Sequence, residues 1–286
     1  MKGGKTLGII GVGLMGGSLA LRAKKFSLFQ HIIGVEKNQA HARQALKKGI
    51  VDEILSFPEA LEKSDVILVA LPVSATAEIL PQILDQIQPH QFVFDLASTK
   101  EHIVNSVKNH IARQNYVATH PMWGTENSGP LAATEESFEN KVLVICDAED
   151  SREEWVKQTQ DLYQKLGMKV IFMDSKSHDL HAAYISHISH VTSYALANTV
   201  LEKEKEERIF QLASSGFSST VRLAKSHADM WLPIFKHNRE NVLDVLEEHI
   251  TQLQKFQTAL IMERYNEIEN YILNANKIRK ILDKKI

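Results

Sequence analysis

His120 stands directly at the end of the apolar run YVATH and opens the segment HPMWGTE, residues 120–126. Imidazole is an efficient proton acceptor near neutral pH, because its ordinary pKa is about 6.5. Pro121 and Gly124 are typical of a loop and do not continue a strand or a helix. Packing explains this position poorly, so the pattern favours a general base over a structural histidine.

A second polar group, DLASTK at residues 95–100, follows another apolar run and is predicted to open a helix at the same edge of the sheet. Ser98 in this group has two explanations of equal weight. Its hydroxyl could take part in catalysis, or it could be an ordinary helix N-cap. Both explanations stay open from the sequence alone.

His187 and His190 lie three residues apart in a long predicted helix, which places them on one side of it. With His178 and His181 they raise the question of a metal site. These histidines lack an identifiable cysteine or carboxylate partner with ligand spacing, so we expect no bound metal. Capping and polar packing within the helical region are further alternatives for the histidines.

Arg222, in the segment STVRLAKSHADMW, carries a planar guanidinium group that suits the carboxylate of a substrate. A single arginine is more often a surface residue or a member of a structural ion pair. The residue type therefore makes Arg222 a candidate and leaves the structural alternative open.

The residues from Gly11 to Gly16 follow the strand-like run TLGII and form a Gly-x-Gly-x-x-Gly motif at the opening of a helix. In this context Gly11 permits a tight turn, Gly13 lets the backbone approach a pyrophosphate, and Gly16 allows close packing of helix and strand. The amides and partial positive charge of the helix N-terminus attract phosphate. We therefore predict a dinucleotide site that includes Gly11, Gly13, Leu14, Met15 and Gly16.

Glu36 lies twenty residues beyond Gly16, at the end of the second predicted strand. A carboxylate at this position accepts hydrogen bonds from an adenosine ribose and repels a 2′-phosphate, which favours NAD over NADP. Lys37 weakens that preference. Leu71 and Pro72 end another apolar run and are expected near the cofactor, although a simple strand end explains them equally well.

Strand-like runs alternate with helical patterns as far as Met173, a rhythm that predicts a doubly wound parallel sheet of Rossmann type with helices on both faces. The runs are continuously apolar in places, as in buried parallel strands. They cover Thr6 to Ile10, His31 to Val35, Asp65 to Leu71, Gln91 to Asp95, Tyr116 to Thr119, Lys141 to Cys146 and Lys169 to Met173. A helix before Gly49 is predicted to stop at that glycine.

From Ser177 to Lys205 the spacing of small and apolar residues predicts one long helix, and helical patterns continue to the C-terminus with breaks at Gly216 and Pro233. We therefore predict a dinucleotide-binding domain at residues 1–174 and an all-helical domain at residues 175–286. Such helices bury one stripe and leave another exposed, so we expect the second domain to form a homodimer.

The 33 Lys and Arg residues nearly balance the 35 Asp and Glu residues, giving a formal net charge of −2. This balance supplies no chain-wide basic field, so neither a nucleic acid nor a membrane is expected as a partner. No apolar run approaches the ~18 residues that a membrane span needs, and no export signal is recognised. Cys146 is the only cysteine, which excludes an intrachain disulfide and a cysteine-based zinc cluster. We expect a cytoplasmic protein.

Five segments, taken in order, resemble the prephenate/arogenate dehydrogenase family of tyrosine biosynthesis, and the resemblance runs from Leu7 to about Arg239. They are GVGLMGGS after the first strand, D-x-x-S-x-K at 95–100, HPMWGTE at 120–126, HDLHAAYISHISH at 178–190 and R-L-A-x-S-x-x-x-M-W at 222–231. The resemblance implies a Rossmann domain, an all-helical dimerising domain and an active site in the cleft between them.

The resemblance also implies an NAD-dependent oxidative decarboxylation, in which hydride leaves the ring carbon that bears the hydroxyl and carbon dioxide leaves the opposite ring position. It would make His120 the acceptor of the hydroxyl proton, and Ser98 would orient that hydroxyl. Arg222 would bind the ring carboxylate. The remaining matched residues would line or gate the substrate pocket: His190, Glu126, Ser226 and Trp231.

This sequence departs from the family next to Arg222. Ser219 and Val221 stand where relatives often have an acidic residue and a threonine. Without the acidic partner, the uncharged keto group of prephenate is favoured over the ammonium group of arogenate, although arogenate stays an alternative.

A β-hydroxyacid dehydrogenase is a less favoured alternative, because its catalytic lysine in a glycine-rich helix has no counterpart around the long helix, where Lys176 merely precedes it. A cofactor-sensing protein without catalysis is a further alternative. It is disfavoured because Ser98, His120 and Arg222 are all present.

Overall fold

One sheet of eight strands organises the part of the chain that the computed structural model describes, residues 4–283 apart from the side chain of Phe210. The predicted domain ends at Met1 and Ile286 lie outside the described residues. The strand order is β3-β2-β1-β4-β5-β6-β7-β8. The strands are β1 (Thr6–Ile10), β2 (His31–Val35), β3 (Glu53–Ile54), β4 (Val66–Val69), β5 (Phe92–Asp95), β6 (Tyr116–Pro121), β7 (Val142–Cys146) and β8 (Lys169–Met173).

All seven predicted strands are present, with small differences at their ends. The sequence pattern does not predict β3, which pairs beside β2 at the edge of the sheet and has only two residues. A segment that short shows no alternation of apolar and polar residues.

The sheet is parallel, as predicted, except at β7, which runs antiparallel to β6, with His120 opposite Val144. A parallel connection needs a crossover, usually an α-helix. The chain between β6 and β7 contains only turns and the short 3₁₀ helix Pro130–Ala132, so β7 returns in the opposite direction. β8 follows a helix and is parallel to β7.

Helices cover both faces of the sheet, as the doubly wound pattern predicts. They are α1 (Leu14–Lys25), α2 (Gln39–Lys47), α3 (Phe57–Lys63), α4 (Val73–Gln86), α5 (Glu101–Val107) and α6 (Glu153–Lys165). Neighbouring residues of β4 point to opposite faces: Leu68 packs with α1, α2 and α6, and Ile67 packs with α3, α4 and α5. After α2 the chain turns at Gly49, whose φ is +67°, which confirms the predicted helix stop.

The chain after β8 is helical throughout its described part, as predicted. The helices are α7 (Ser175–Ala182), α8 (Ile188–Lys203), α9 (Glu206–Leu212), α10 (Ser215–Thr220), α11 (Ala228–His237), α12 (Arg239–Ile261), α13 (Tyr265–Ala275) and α14 (Arg279–Leu282). A π-helical segment, Ala183–His187, joins α7 to α8, so the predicted long helix is a continuous helical run with one π-helical turn inside it. Among the described residues, no helix combines the length and apolar character that crossing a membrane requires.

The predicted breaks at Gly216 and Pro233 are wrong. Gly216 is the second residue of α10, within the first turn, and Pro233 lies inside α11. A proline inside a helix removes one backbone hydrogen bond. Burial of Trp231 and Ile234 from the same helix in an apolar cluster offsets that loss.

Backbone contacts divide the chain into two compact units, with the boundary between Arg239 and Glu240. The sheet and all helices through α11 belong to the first unit. The predicted domain boundary between residues 174 and 175 is a different division and stays a prediction.

We expect Gly16→Ala to destabilise the first unit by about 1–3 kcal/mol, because a Cβ there would lie 2.9 Å from Cβ of Ala70 and 3.1 Å from Cγ2 of Ile9. The matched control is Gly13→Ala, since a Cβ at Gly13 meets no atom within 4 Å. We expect the control to cost less than about 1 kcal/mol. Urea unfolding of both variants measures the difference, and equal stabilities would contradict the close packing of α1 on the sheet.

Candidate active site

The glycine motif forms an open cradle between β1 and α1. Gly11 has φ +98°, and a Cβ there would lie 2.6 Å from the carbonyl oxygen of Ala70. The start of α1 has no side-chain cap, and nothing lies within 4 Å of a Cβ built at Gly13. Free amides beside open space fit the phosphates of a dinucleotide.

The other predicted cofactor residues lie around this cradle. A Cβ at Gly11 would lie 2.8 Å from Cδ2 of Leu71, and Pro72 is the N-cap of α4. Oε2 of Glu36 accepts a hydrogen bond from the backbone N–H of Val12 at 3.2 Å. The second carboxylate oxygen of Glu36 accepts from the N–H of Asn38, so the group is held at the end of β2 beside the motif. Contact with a ribose stays a prediction.

Next to the cradle, a cavity of about 240 Å³ brings together every predicted catalytic and substrate-binding residue. Leu14 and Met15 of the glycine motif form part of its wall, so the nucleotide cradle and the cavity adjoin. The predicted residues that line it are Ser98, His120, Glu126, His190, Arg222, Ser226 and Trp231.

His120, in β6, is held by a chain of hydrogen bonds that ends at a carboxylate. Nδ1 of His120 lies 2.8 Å from Nε2 of His178, and Nδ1 of His178 lies 2.7 Å from Oδ1 of Asp179. A carboxylate only accepts, so Nδ1 of His178 carries a proton. In neutral His178 the other nitrogen then accepts from Nδ1 of His120. The unprotonated Nε2 of His120 is left to act as a base in the cavity.

Burial holds the pKa of His120 well below its usual range, and the neighbouring His178, Lys100 and His187 act in the same direction. The side chain is 8% exposed, which is enough to line the cavity without full hydration. A lowered pKa keeps the imidazole neutral, and therefore able to accept a proton, at neutral pH.

Ser98 does not cap α5. The N-cap of that helix is Lys100, and the helix N-terminus receives its acceptor from another element. The two carboxylate oxygens of Asp179, in α7, accept the backbone N–H groups of Lys100 at 2.7 Å and Glu101 at 2.9 Å. The capping explanation is therefore wrong for Ser98, whose side chain lines the cavity.

The π-helical segment forms part of the cavity wall, to which Ser186 and His187 both contribute. Such segments recur at functional sites because the extra residue redirects side chains. Nδ1 of His190 donates to the carbonyl of Ser186 at 3.1 Å, and its ring stacks on Trp231 with centroids 3.4 Å apart. Nε1 of Trp231 is buried and has no hydrogen-bond partner in the described part of the chain.

Arg222 and Glu126, predicted separately, form one ion pair at the cavity. Nη1 of Arg222 lies 3.4 Å from Oε2 of Glu126, and the side chain of Arg222 is 54% exposed. An exposed pair at this distance is weak, so a substrate carboxylate can compete for the guanidinium group. Ser226 is nearby in the cavity wall, where its hydroxyl donates to the carbonyl of Leu223.

The sequence pattern raised His178 and His187 only as possible metal ligands or packing residues, and it did not single out Asp179. In the structure His178 and Asp179 hold His120, and burial lowers the pKa of His187 to about 4. The adjacent His and Asp at 178 and 179 are a signal for such a pair, but their partner lies 58 residues away. Between residues 4 and 283, no three His, Cys, Asp or Glu side chains are grouped so that they could hold a metal ion.

The chain matches two family models that together cover most of its length. Residues 18–172 match the nucleotide-binding domain of prephenate dehydrogenase, and residues 174–278 match the prephenate dehydrogenase dimerization domain. The first match begins at residue 18, just after the glycine motif, and the two matches together include the cavity residues from Ser98 to Ile234.

Similar proteins agree with these matches. Prephenate dehydrogenase of Bacillus subtilis is 29% identical over 281 residues, which are 96% of this chain and 75% of that protein. Cyclohexadienyl dehydrogenase of Zymomonas mobilis is 25% identical over 281 residues, 97% of this chain and 96% of the relative. A crystal structure of Aquifex aeolicus prephenate dehydrogenase with hydroxyphenyl propionate and NAD⁺ superposes with a TM-score of 0.89, at 26% identity and 98% coverage of each chain.

We expect the imidazole of His120 to titrate below about 6.5, the ordinary value for histidine, because burial and its neighbours disfavour the charged form. Heteronuclear NMR of the free protein, with the His120 signals assigned through His120→Asn, measures this pKa. A value at or above the ordinary one would contradict the buried, neutral state.

Proposed function

Because this chain belongs to the prephenate dehydrogenase family, we propose that it catalyses the NAD-dependent oxidative decarboxylation of prephenate to 4-hydroxyphenylpyruvate in tyrosine synthesis. The observation that carries the proposal is the shared cavity, which is lined by the glycine motif, a neutral histidine base and a guanidinium group. Family membership also removes the β-hydroxyacid dehydrogenase alternative.

His120 acts as the general base. Its Nε2 accepts the proton of the ring hydroxyl, which increases the electron density on oxygen as the C–H electron pair leaves with the hydride. NAD⁺, held at the glycine motif, supplies the hydride acceptor. Ser98 orients the hydroxyl toward His120. The proton returns to the phenolic oxygen from the imidazolium of His120 once the ring is aromatic.

Arg222 holds the ring carboxylate at the other end of the cavity. Loss of that group as carbon dioxide delivers its bonding electron pair to the ring, so aromatisation drives the step. Nε1 of Trp231, a buried donor without a partner in the described residues, is available to a substrate oxygen. His190 lines the pocket, where its stacking on Trp231 fixes the indole.

Two finer assignments rest on single residues. Glu36 beside the glycine motif favours NAD, because a carboxylate repels the 2′-phosphate of NADP. Ser219, where relatives often have an acidic residue, favours the keto acid prephenate over arogenate, whose ammonium group would lack a partner. Arogenate is the second candidate substrate.

We further propose that the protein is a homodimer in the cytoplasm. The match to a dimerization domain supports the dimer. So do exposed apolar side chains on α12 and α13 and on the turn between them, which are Leu253, Leu260, Ile261, Met262, Tyr265, Ile272 and Leu273. The single buried cysteine, Cys146, is consistent with the reducing cytoplasm.

We expect the purified protein to reduce NAD⁺ in the presence of prephenate, and His120→Asn to lower kcat by at least about a hundredfold, since the base is lost. Affinity for NAD⁺ is expected to stay unchanged, because His120 does not belong to the glycine motif. Absorbance at the reduced-cofactor band measures turnover, and fluorescence titration measures affinity. Turnover with arogenate alone would shift the substrate assignment, and turnover with neither would contradict the function.

We expect Arg222→Ala to raise KM for prephenate by roughly tenfold or more with a smaller change in kcat, because a carboxylate clamp acts in both the ground and the transition state. Glu126→Gln is the matched control, since it removes the charge of the other member of the ion pair and leaves the guanidinium group free. An Arg222→Ala variant with the wild-type KM would remove Arg222 from the substrate site.

A further inference from the structure

Lys100 is a charged side chain without access to solvent, two residues after Ser98. Its relative exposure is 0%, as is that of Asp95. Its ammonium group donates to Oδ2 of Asp95 and, at 2.8 Å, to the backbone carbonyl of Thr119. Neither Lys100 nor Asp95 lines the cavity, so the mechanism does not use them directly.

The ion pair lies where β5 and β6 separate. Their ladder pairs Val93 with Tyr116 and Phe94 with Val117, and it goes no further. Beyond that point Oδ1 of Asp95 accepts the backbone N–H of Thr119 at 3.1 Å, and Lys100 binds the carbonyl of the same residue. The side chains of Asp95 and Lys100 therefore bind the backbone N–H and carbonyl of Thr119, which a neighbouring strand would otherwise bind, in the residue just before His120.

The same pair closes the loop that carries Ser98. Oδ2 of Asp95 accepts the backbone N–H of Ala97 at 2.9 Å and also the ammonium group of Lys100. Oδ2 of Asp95 therefore binds groups near the start and at the end of the loop between residues 95 and 100. The position of Ser98 at the cavity depends on that closure.

Lys100 also reaches His120 through α7. Its backbone N–H donates to Oδ1 of Asp179, the oxygen that binds His178. His178 in turn contacts Nδ1 of His120. One residue therefore contacts both the backbone that precedes the base and the chain of hydrogen bonds that orients it.

Stability alone does not account for this ion pair. Removing a carboxylate and an ammonium group from water is costly, and well-packed apolar side chains are often as stable or more stable in their place. What an ion pair adds is fixed direction and distance between the segments it joins.

We infer that Lys100 is a positioning residue of the reaction, which holds the Ser98 loop and the backbone before His120 at a fixed separation. The inference rests on the proposed function for the roles of Ser98 and His120. A purely structural lysine is the alternative, and it predicts loss of stability without loss of turnover in the folded protein.

Arg113, in the 3₁₀ helix Arg113–Asn115 just before β6, offers a matched control. It is 6% exposed, and its Nη1 donates to the carbonyl of Tyr116 at 2.8 Å, at the end of β6 away from the cavity. Arg113→Met and Lys100→Met each remove a buried cation from a carbonyl of β6. Only Lys100→Met removes the cation from the carbonyl of Thr119, the residue next to His120.

The experiment compares kcat, NAD⁺ affinity and the His120 pKa in the full-length wild type and the two variants. In Lys100→Met we expect kcat per NAD⁺-binding site to fall about a hundredfold, as misplacement near 1 Å does. We expect NAD⁺ affinity to be retained. In Arg113→Met we expect kcat to stay within about twofold of wild type, since its carbonyl partner is the first residue of β6 and not the residue before His120.

The pKa of His120, measured by NMR, is expected to rise in Lys100→Met and not in Arg113→Met. The charged or titratable groups around His120 are His178 and Asp179 on α7, His187, and Lys100 with Asp95. Loss of the Lys100 cation leaves the carboxylates of Asp95 and Asp179 to favour the imidazolium. The acid limb of kcat/KM should therefore move to higher pH in Lys100→Met alone.

If Lys100→Met does not fold, a double variant takes its place, in which Asp95→Asn and Lys100→Met together remove both buried charges. We expect the double variant to show the same loss of kcat. A folded Lys100 variant with wild-type kcat would overturn the inference, as would an equal loss in Arg113→Met. Wild-type turnover of prephenate is the separate check on the proposed function. If that turnover is absent, the proposed function is overturned and the inference with it, whereas wild-type turnover that Lys100→Met leaves unchanged overturns the inference alone.

Discussion

The carboxylate of Asp179 is the interaction on which the rest of the site depends. One oxygen accepts hydrogen bonds from Nδ1–H of His178 and from the backbone N–H of Lys100. The other accepts a hydrogen bond from the backbone N–H of Glu101. Asp179 thereby caps a helix of the sheet domain from the helical region and sets the proton positions along the chain to His120. A carboxylate at a helix N-terminus is also stabilised by the positive end of the helix dipole.

The cavity combines a buried network of hydrogen bonds with a few groups that are left for a ligand. Asp95, Lys100, His178 and Asp179 form hydrogen bonds with one another, with the backbone and with the side chains of Tyr116 and His120, which keeps them in one arrangement. In the part of the chain that the structure describes, Nε1 of Trp231 has no hydrogen-bond partner, and the guanidinium group of Arg222 is weakly paired with Glu126. This division separates residues that hold the site from groups that we propose to bind substrate.

The strand and cofactor parts of the fold were readable from sequence because their signals are local. Gly11, Gly13 and Gly16 follow a strand and open a helix within six residues, and backbone geometry requires glycine at two of them. The antiparallel β7 was not readable, since its direction depends on the absence of a crossover helix between β6 and β7. The proline of α11 was misread because tertiary burial outweighs the lost hydrogen bond.

The site residues divide in the same way. Residue type was enough to nominate His120, Arg222 and Ser98, but not to choose between catalysis and capping for Ser98. That choice depended on Asp179, which accepts a hydrogen bond from the backbone N–H of Lys100, 79 residues away in the sequence. The contact between His120 and His178 spans 58 residues, and no spacing rule connects positions so far apart. Long-range pairing is what sequence patterns leave undetermined here.

The central claim is that one small cyclic diacid contacts His120 at one end and Arg222 at the other. A crystal structure of the His120→Asn variant with NAD⁺ and prephenate tests it most directly, because the variant traps the unreacted substrate. The account predicts the ring hydroxyl within hydrogen-bonding distance of residue 120 and Ser98, and the ring carboxylate on the guanidinium group of Arg222. Prephenate bound with its hydroxyl away from residue 120, or with neither carboxylate on Arg222, would contradict it.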